Sequence, residues 1–101
     1  MPYAVKFLPA AVHELKKLPK KASGEITEEL EKLSKGPYSH PSVKRMENQP
    51  RGIYRLRVKN YRIVYEVRDN TSLIVVAKVG HRKDIYRLLP ERLKSLKSFE
   101  R

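Results

Sequence analysis

The 101-residue chain carries 23 Lys and Arg against 11 Asp and Glu, a formal charge of +12, with 40% apolar residues and no cysteine. Such a length suits one domain over 1–101 with a small core, and the missing thiols exclude a disulfide scaffold, a cysteine nucleophile and a cysteine-ligated zinc or iron–sulfur site. The charge calls for a polyanionic partner; no apolar run approaches the roughly 18 residues of a membrane span, and Met1-Pro2-Tyr3 opens no signal-peptide segment, so a cytoplasmic protein that avoids membranes is expected.

In chain order, Tyr3, Val5 and Phe7 alternate with Ala4 and Lys6 as a first strand over 3–7. Pro9 suits the first turn of a helix, and Val12 and Leu15, flanked by Leu8 and Leu18, give it an apolar stripe that ends near Pro19. A second helix over 20–33 places Ile26, Leu30 and Leu33 on one face and Glu25, Glu28, Glu29, Glu31 and Lys32 in water. The two form an αα-hairpin around Pro19. Residues 34–52, with Gly36, Pro37, Pro41, Pro50 and Gly52, read as a long irregular connection.

Three β-rich runs follow, 53–59, 61–68 and 73–79, joined by tight turns into an antiparallel meander. In the first, Tyr54, Leu56 and Val58 fall on one face, and Arg55, Arg57 and Lys59 on the other. The unbroken run Leu73-Ile74-Val75-Val76-Ala77 marks the central strand, buried on both faces. Beyond Asp84, Ile85, Leu88 and Leu89, then Leu93, Leu96 and Phe99, suggest a helical tail split at Pro90 that covers the sheet. The fold class is α+β: a small antiparallel four-stranded sheet, an N-terminal αα-hairpin packed on one face and a short C-terminal helical tail, in the order β-α-α-β-β-β-α.

The basic charge is uneven. Residues 1–50 hold nine basic and six acidic side chains, while 51–101 hold fourteen and five; eight of the first nine are lysines and nine of the fourteen are arginines. Arginine is a planar fork that matches phosphate geometry and stacks on bases, whereas lysine is a hydrated point charge. The second half therefore holds the candidate site.

Most enzyme motifs are missing. No phosphate-binding glycine loop occurs, and His13, His40 and His81 lack metal-ligand spacing, so neither a metal nor a cofactor is expected. What remains is Arg55, Arg57, Arg62, His81, Arg82 and Tyr86. RNA is cut without a metal when its 2′-hydroxyl attacks the adjacent phosphate, which requires a proton acceptor, a proton donor for the leaving 5′ oxygen and cations around the phosphorane. Arginines supply the cations and a tyrosine can stack on the base; an arginine is a poor proton acceptor.

The segments Gly52-Ile53-Tyr54-Arg55-Leu56-Arg57-Val58, Tyr61-Arg62-Ile63-Val64-Tyr65-Glu66-Val67 and Val79-Gly80-His81-Arg82-Lys83-Asp84-Ile85-Tyr86 resemble the RelE/ParE superfamily of toxins from type II toxin–antitoxin modules, and its RelE branch in particular, over residues 3–89. The resemblance implies a ribosome-dependent endoribonuclease that cleaves mRNA in the A site and is neutralised by an acidic, helical, RelB-like antitoxin. It implies a phosphorane-stabilising role for Arg62, a general-acid role for Arg82 and base stacking by Tyr86. Arg55 and Arg57 match two basic positions where well-studied members carry lysines, one of them proposed as the general base; with Lys59 and Lys83 they are expected to contact RNA. His81 matches a region where related toxins place an acid–base histidine. Two other readings stay open: a ParE-like inhibitor of DNA gyrase, which shares the fold but generally lacks these basic residues, and a non-enzymatic basic RNA- or ribosome-binding module.

Overall fold

The computed structural model describes residues 2–99 and has an α+β architecture built on one mixed five-stranded sheet with three helices. In chain order the elements are β1 (Ala4–Phe7), α1 (Pro9–Lys16), α2 (Lys20–Lys35), β2 (Val43–Arg45), β3 (Ile53–Val58), β4 (Tyr61–Arg68), β5 (Leu73–His81) and α3 (Leu89–Ser95), followed by a 3₁₀ turn, Leu96–Ser98. The sheet order is β1-β5-β4-β3-β2. Several expectations change. The sheet has five strands and not four, because Val43–Arg45 pairs with β3 inside the stretch that reads as irregular. It is not wholly antiparallel, since β1 runs parallel to β5, with Ala4 beside Leu73 and Phe7 beside Val76. Pro90 does not split the tail: it stands in the first turn of α3, where its missing N–H has no partner to lose, and residues 82–88 form turns.

The meander is as the alternation predicts. β3 and β4 pair through a two-residue turn, Lys59-Asn60, with Val58 opposite Tyr61 and Leu56 opposite Ile63. The turn that leads into β3 ends at Gly52, whose φ of +84° is a conformation that side-chain-bearing residues avoid and whose carbonyl accepts the Val67 amide at 2.9 Å. β5 is not the central strand, a place that β4 takes; it stands second from the edge between β1 and β4, and its residues Leu73 to Val79 are nevertheless all buried, as the apolar run requires. Between Val64 and Tyr65 the β4–β5 register slips by one residue, so that Val64 faces Lys78 while Tyr65 faces Val76. This bulge at Ala77 lets Val76 and Lys78 point to opposite faces although they are two residues apart.

The register therefore sorts the sheet into two faces. One carries Leu56, Ile63, Tyr65 and Val79, and α2 closes over it with Ile26, Leu30 and Leu33 in the same core. The other carries Ile53, Arg55 and Arg57 on β3, Arg62, Val64 and Glu66 on β4, and Leu73, Lys78 and Gly80 on β5. On this second face Leu93, Leu96 and Phe99 cover the end formed by Ile53, Glu66 and Leu73. Arg68 ties that cover down, donating to the carbonyls of Leu96 at 2.6 Å and Phe99 at 2.7 Å while its Nε pairs with Glu66. The opposite end of the face, at Arg55, Arg57 and Arg62, is left open.

Where β1 runs out, side chains finish the edge of β5. Glu14 of α1 accepts the Val79 amide at 3.0 Å, and Arg92 of α3 donates to the Ala77 carbonyl at 3.0 Å while gripping Glu14 through both guanidinium nitrogens at 2.7 and 3.0 Å. Among the described residues no helix is long and apolar enough to cross a membrane.

Candidate active site

Arg57 and Arg62 sit directly opposite one another on β3 and β4, and Arg55 lies two residues along on the same face. Like charges at such positions repel. Arg62 shows the effect: partial burial of its guanidinium, then the positive charges of Arg57, Arg55 and Arg82, press its pKa below the ordinary arginine value, with Tyr86 acting in the opposite sense. Its Nη1 is fixed by donation to the carbonyls of Lys59 at 3.0 Å and Tyr61 at 2.9 Å, groups supplied by the tight turn itself. Four guanidiniums and one phenol thus lie within electrostatic reach of a single point. An unpaired group of cations is stabilised by an anion with several oxygens, and a phosphate brings them.

Tyr86 is 49% exposed, and its hydroxyl accepts a hydrogen bond from Arg55 Nη1. It does not pack beneath the tail; its ring stands free beside the arginines. The segment that carries it is pinned at several points. The Arg82 amide donates to the Asn60 carbonyl at 2.7 Å, Ile85 is fully buried against Gly80, and Lys78, a residue only 8% exposed, donates through its amine to the Arg87 carbonyl. On the far side a cleft of about 230 Å³ is lined by Pro41, Ser42, Lys44, Arg55, Arg57 and Arg62. Its outer wall is set by His40, whose Nε2 lies 2.7 Å from Glu29 and whose Nδ1 accepts the Ser42 amide at 3.1 Å; the Ser42 carbonyl in turn accepts the Arg57 amide at 3.1 Å.

A family model described as the ParE toxin of the type II toxin–antitoxin system parDE matches residues 5–86. The chain belongs to the RelE/ParE toxin superfamily. Within it, a putative RelE-like toxin protein of Escherichia coli is 34% identical over 96 residues, covering 93% of this chain and all of that protein. Toxin RelG of Mycobacterium tuberculosis is 33% identical over 88 residues, covering 86% of this chain and 99% of that one. Among solved structures, the toxin–antitoxin complex RelBE2 of Mycobacterium tuberculosis includes a chain that matches with a TM-score of 0.71 and 29% identity, over 81% of this chain and 100% of its own. The protein is thus a RelE-like toxin of the type II class.

For this RelE-like chain the geometry divides the residues singled out by sequence. Arg55, Arg57, Arg62, Arg82 and Tyr86 come together. His81 does not join them: it pairs with Tyr61 across β4 and β5, its ring 6.0 Å from the Tyr61 ring on the face opposite the arginines, and its Nδ1 accepts the Lys83 amide at 3.2 Å. Lys59 reaches toward α2, its amine 2.5 Å from Glu25. Lys83 is exposed on the turn after β5. One cation was missed: Lys44, opposite Arg55 on β2, lines the arginine cleft. A three-residue strand has too short an alternation to announce itself, and the basic pair Lys44-Arg45 in a proline-rich stretch was the available signal.

Proposed function

We propose that this RelE-like toxin is a ribosome-dependent endoribonuclease that cleaves mRNA in the A site and is held inactive by a cognate RelB-like antitoxin. The observation that carries the reading is the pairing of Arg57 with Arg62 across β3 and β4, with Arg55 two residues along, the Arg82 backbone pinned to the Asn60 carbonyl of the same turn, and the exposed Tyr86 held beside them by Arg55. Attack of the RNA 2′-hydroxyl on the adjacent phosphorus, its proton passing to solvent water because arginine is a poor acceptor, forms a pentavalent phosphorane and then breaks the bond to the 5′ oxygen, leaving a 2′,3′-cyclic phosphate. Arg62, with its guanidinium fixed to two carbonyls, and Arg57 opposite it offer preorganised cations to the phosphorane oxygens. Arg82 protonates the leaving oxygen. Tyr86 holds the base in line by stacking, which aligns the attacking hydroxyl.

The antitoxin belongs to the same reading: the related Mycobacterium tuberculosis toxin was solved in complex with one, and a surface of charge +12 suits an acidic partner. A ribosomal substrate entails a cytoplasmic site of action.

The ParE description of the matching family model favours a second reading, inhibition of DNA gyrase. The two separate in one experiment. Added to translating ribosomes, the protein is expected to create new mRNA 3′ ends at a fixed distance from the P-site codon, read by primer extension, and Arg82→Ala is expected to abolish them while ribosome binding persists. No new ends at any concentration, with gyrase stalled on relaxed DNA, would replace the first reading by the second.

A further inference from the structure

The loop between β2 and β3 forms, with Tyr86, a second cleft of about 510 Å³. Its size is within the range of small-ligand sites. Lys44 and Arg55 line both this cleft and the arginine cleft, so a chain of nucleotides can occupy the two at once. The walls differ in chemistry. One is the exposed ring of Tyr86, held by its hydroxyl on Arg55; the other is Glu47, Asn48 and Gln49, whose side chains make no hydrogen bond or ion pair with any described residue. A flat face opposite free donors and acceptors suits one ligand chemistry in particular, a nucleobase, which stacks on its face and hydrogen-bonds along its edge.

We infer that Glu47, Asn48 and Gln49 read the edge of the base stacked on Tyr86, so that this loop sets the nucleotide preference of the toxin. The assignment rests on the RNA reading above for the identity of the ligand. The arginines and Lys44 hold the phosphate and supply affinity without sequence information, while the loop supplies discrimination. Glu47 only accepts, and it therefore favours a base with an exocyclic amino group, such as adenine, cytosine or guanine, over uracil, whose single N3–H lies between two carbonyl acceptors that repel the carboxylate. The amides of Asn48 and Gln49 donate and accept together and complete the contact with the same edge.

The test uses the purified protein and uncleavable 2′-O-methyl dinucleotides ending in each of the four bases, titrated by NMR. The wild type is expected to bind them over a spread of about tenfold with uracil weakest, the scale of one well-placed hydrogen-bonded edge. In the triple variant Glu47→Ala, Asn48→Ala, Gln49→Ala that spread should shrink to within about twofold, while the salt dependence set by the arginines remains. Glu47→Gln alone keeps the shape, turns one acceptor into a donor and should bring uracil level with the others. Equal wild-type affinities for the four bases, or a spread that survives in the triple variant, would overturn the inference; equal affinities would also be the result if the cleft serves an acidic peptide. These titrations involve no cleavage, so a protein that cuts no mRNA but discriminates bases contradicts the ribonuclease reading alone.

Discussion

On one side of β3 and β4, Leu56, Ile63 and Tyr65 are fully buried; on the other side, one residue away along each strand, Arg55, Arg57 and Arg62 reach solvent. The backbone is shared and the burdens are not. The first face excludes water under α2 and, together with the end of the second face that α3 covers, supplies the hydrophobic stabilisation, which allows the open end of the second face to gather like charges that repel and weaken the fold. The boundary within the second face is equally sharp, because α3 and the Arg68 clamp cover Ile53 and Leu73 and stop short of the arginines. A small domain can thus carry a destabilising site when the destabilised surface lies back to back with the core.

Substitutions on the two faces sharpen or break this division. The largest effect is expected from Leu56→Ala, where removal of a fully buried side chain should cost about 2–5 kcal/mol in urea unfolding; an unfolding midpoint that stays put would mean that the α2 face does not supply the stability. Next, Arg62→Ala should slow mRNA cleavage by about a hundred- to a thousandfold while the thermal midpoint holds or rises, since a repelled cation has been removed. A cleavage loss matched by a fall in midpoint would erase the distinction between the faces. The smallest effect belongs to a residue outside both, Asp69, whose carboxylate accepts the hydroxyls of Tyr38 and Tyr3 at 2.7 Å and is thereby held below the usual aspartate pKa. A lowered folded-state pKa gives stability that is present above the unfolded value, near 4, and is lost as pH falls through the lower one. Asp69→Asn should therefore flatten the acid limb of the stability–pH curve and leave cleavage unchanged.

The meander and its arginine face were legible in the sequence because side-chain alternation is a local property and the turn at Lys59-Asn60 is short. Arg55 and Arg57 could be placed together on that basis, and Arg62 follows once the turn fixes the register. The parallel partner of β1 was not legible: Ala4–Phe7 reads as a strand, but its neighbour comes from the other end of the chain. β2 is specified by pairing with β3 more than by its own three residues. His81 and Lys59 show the limit within the site. The strand β5 continues through Gly80, so alternation carries His81 to the Tyr61 side, and Lys59 is drawn away by a glutamate on a helix distant in sequence. Arg82 and Tyr86 lie on turns that have no periodicity; their place just past the last strand singled them out, and resemblance to the toxin family supplied their roles.

The ion pair that finishes β5 bears on how this chain tolerates crowding. A strand edge with free amides and carbonyls is a template on which another strand can add. Beyond Phe7, that template is already occupied by Glu14 and Arg92, so an incoming strand would have to displace a two-pronged charge pair before forming its first ladder bond. The other rim of the sheet is β2, which offers only three residues, two of them cationic, close behind Pro41. Strand addition is thus opposed where β5 outruns β1 and along the short cationic β2, which leaves the outer edge of β1 as the rim of the sheet without such a guard.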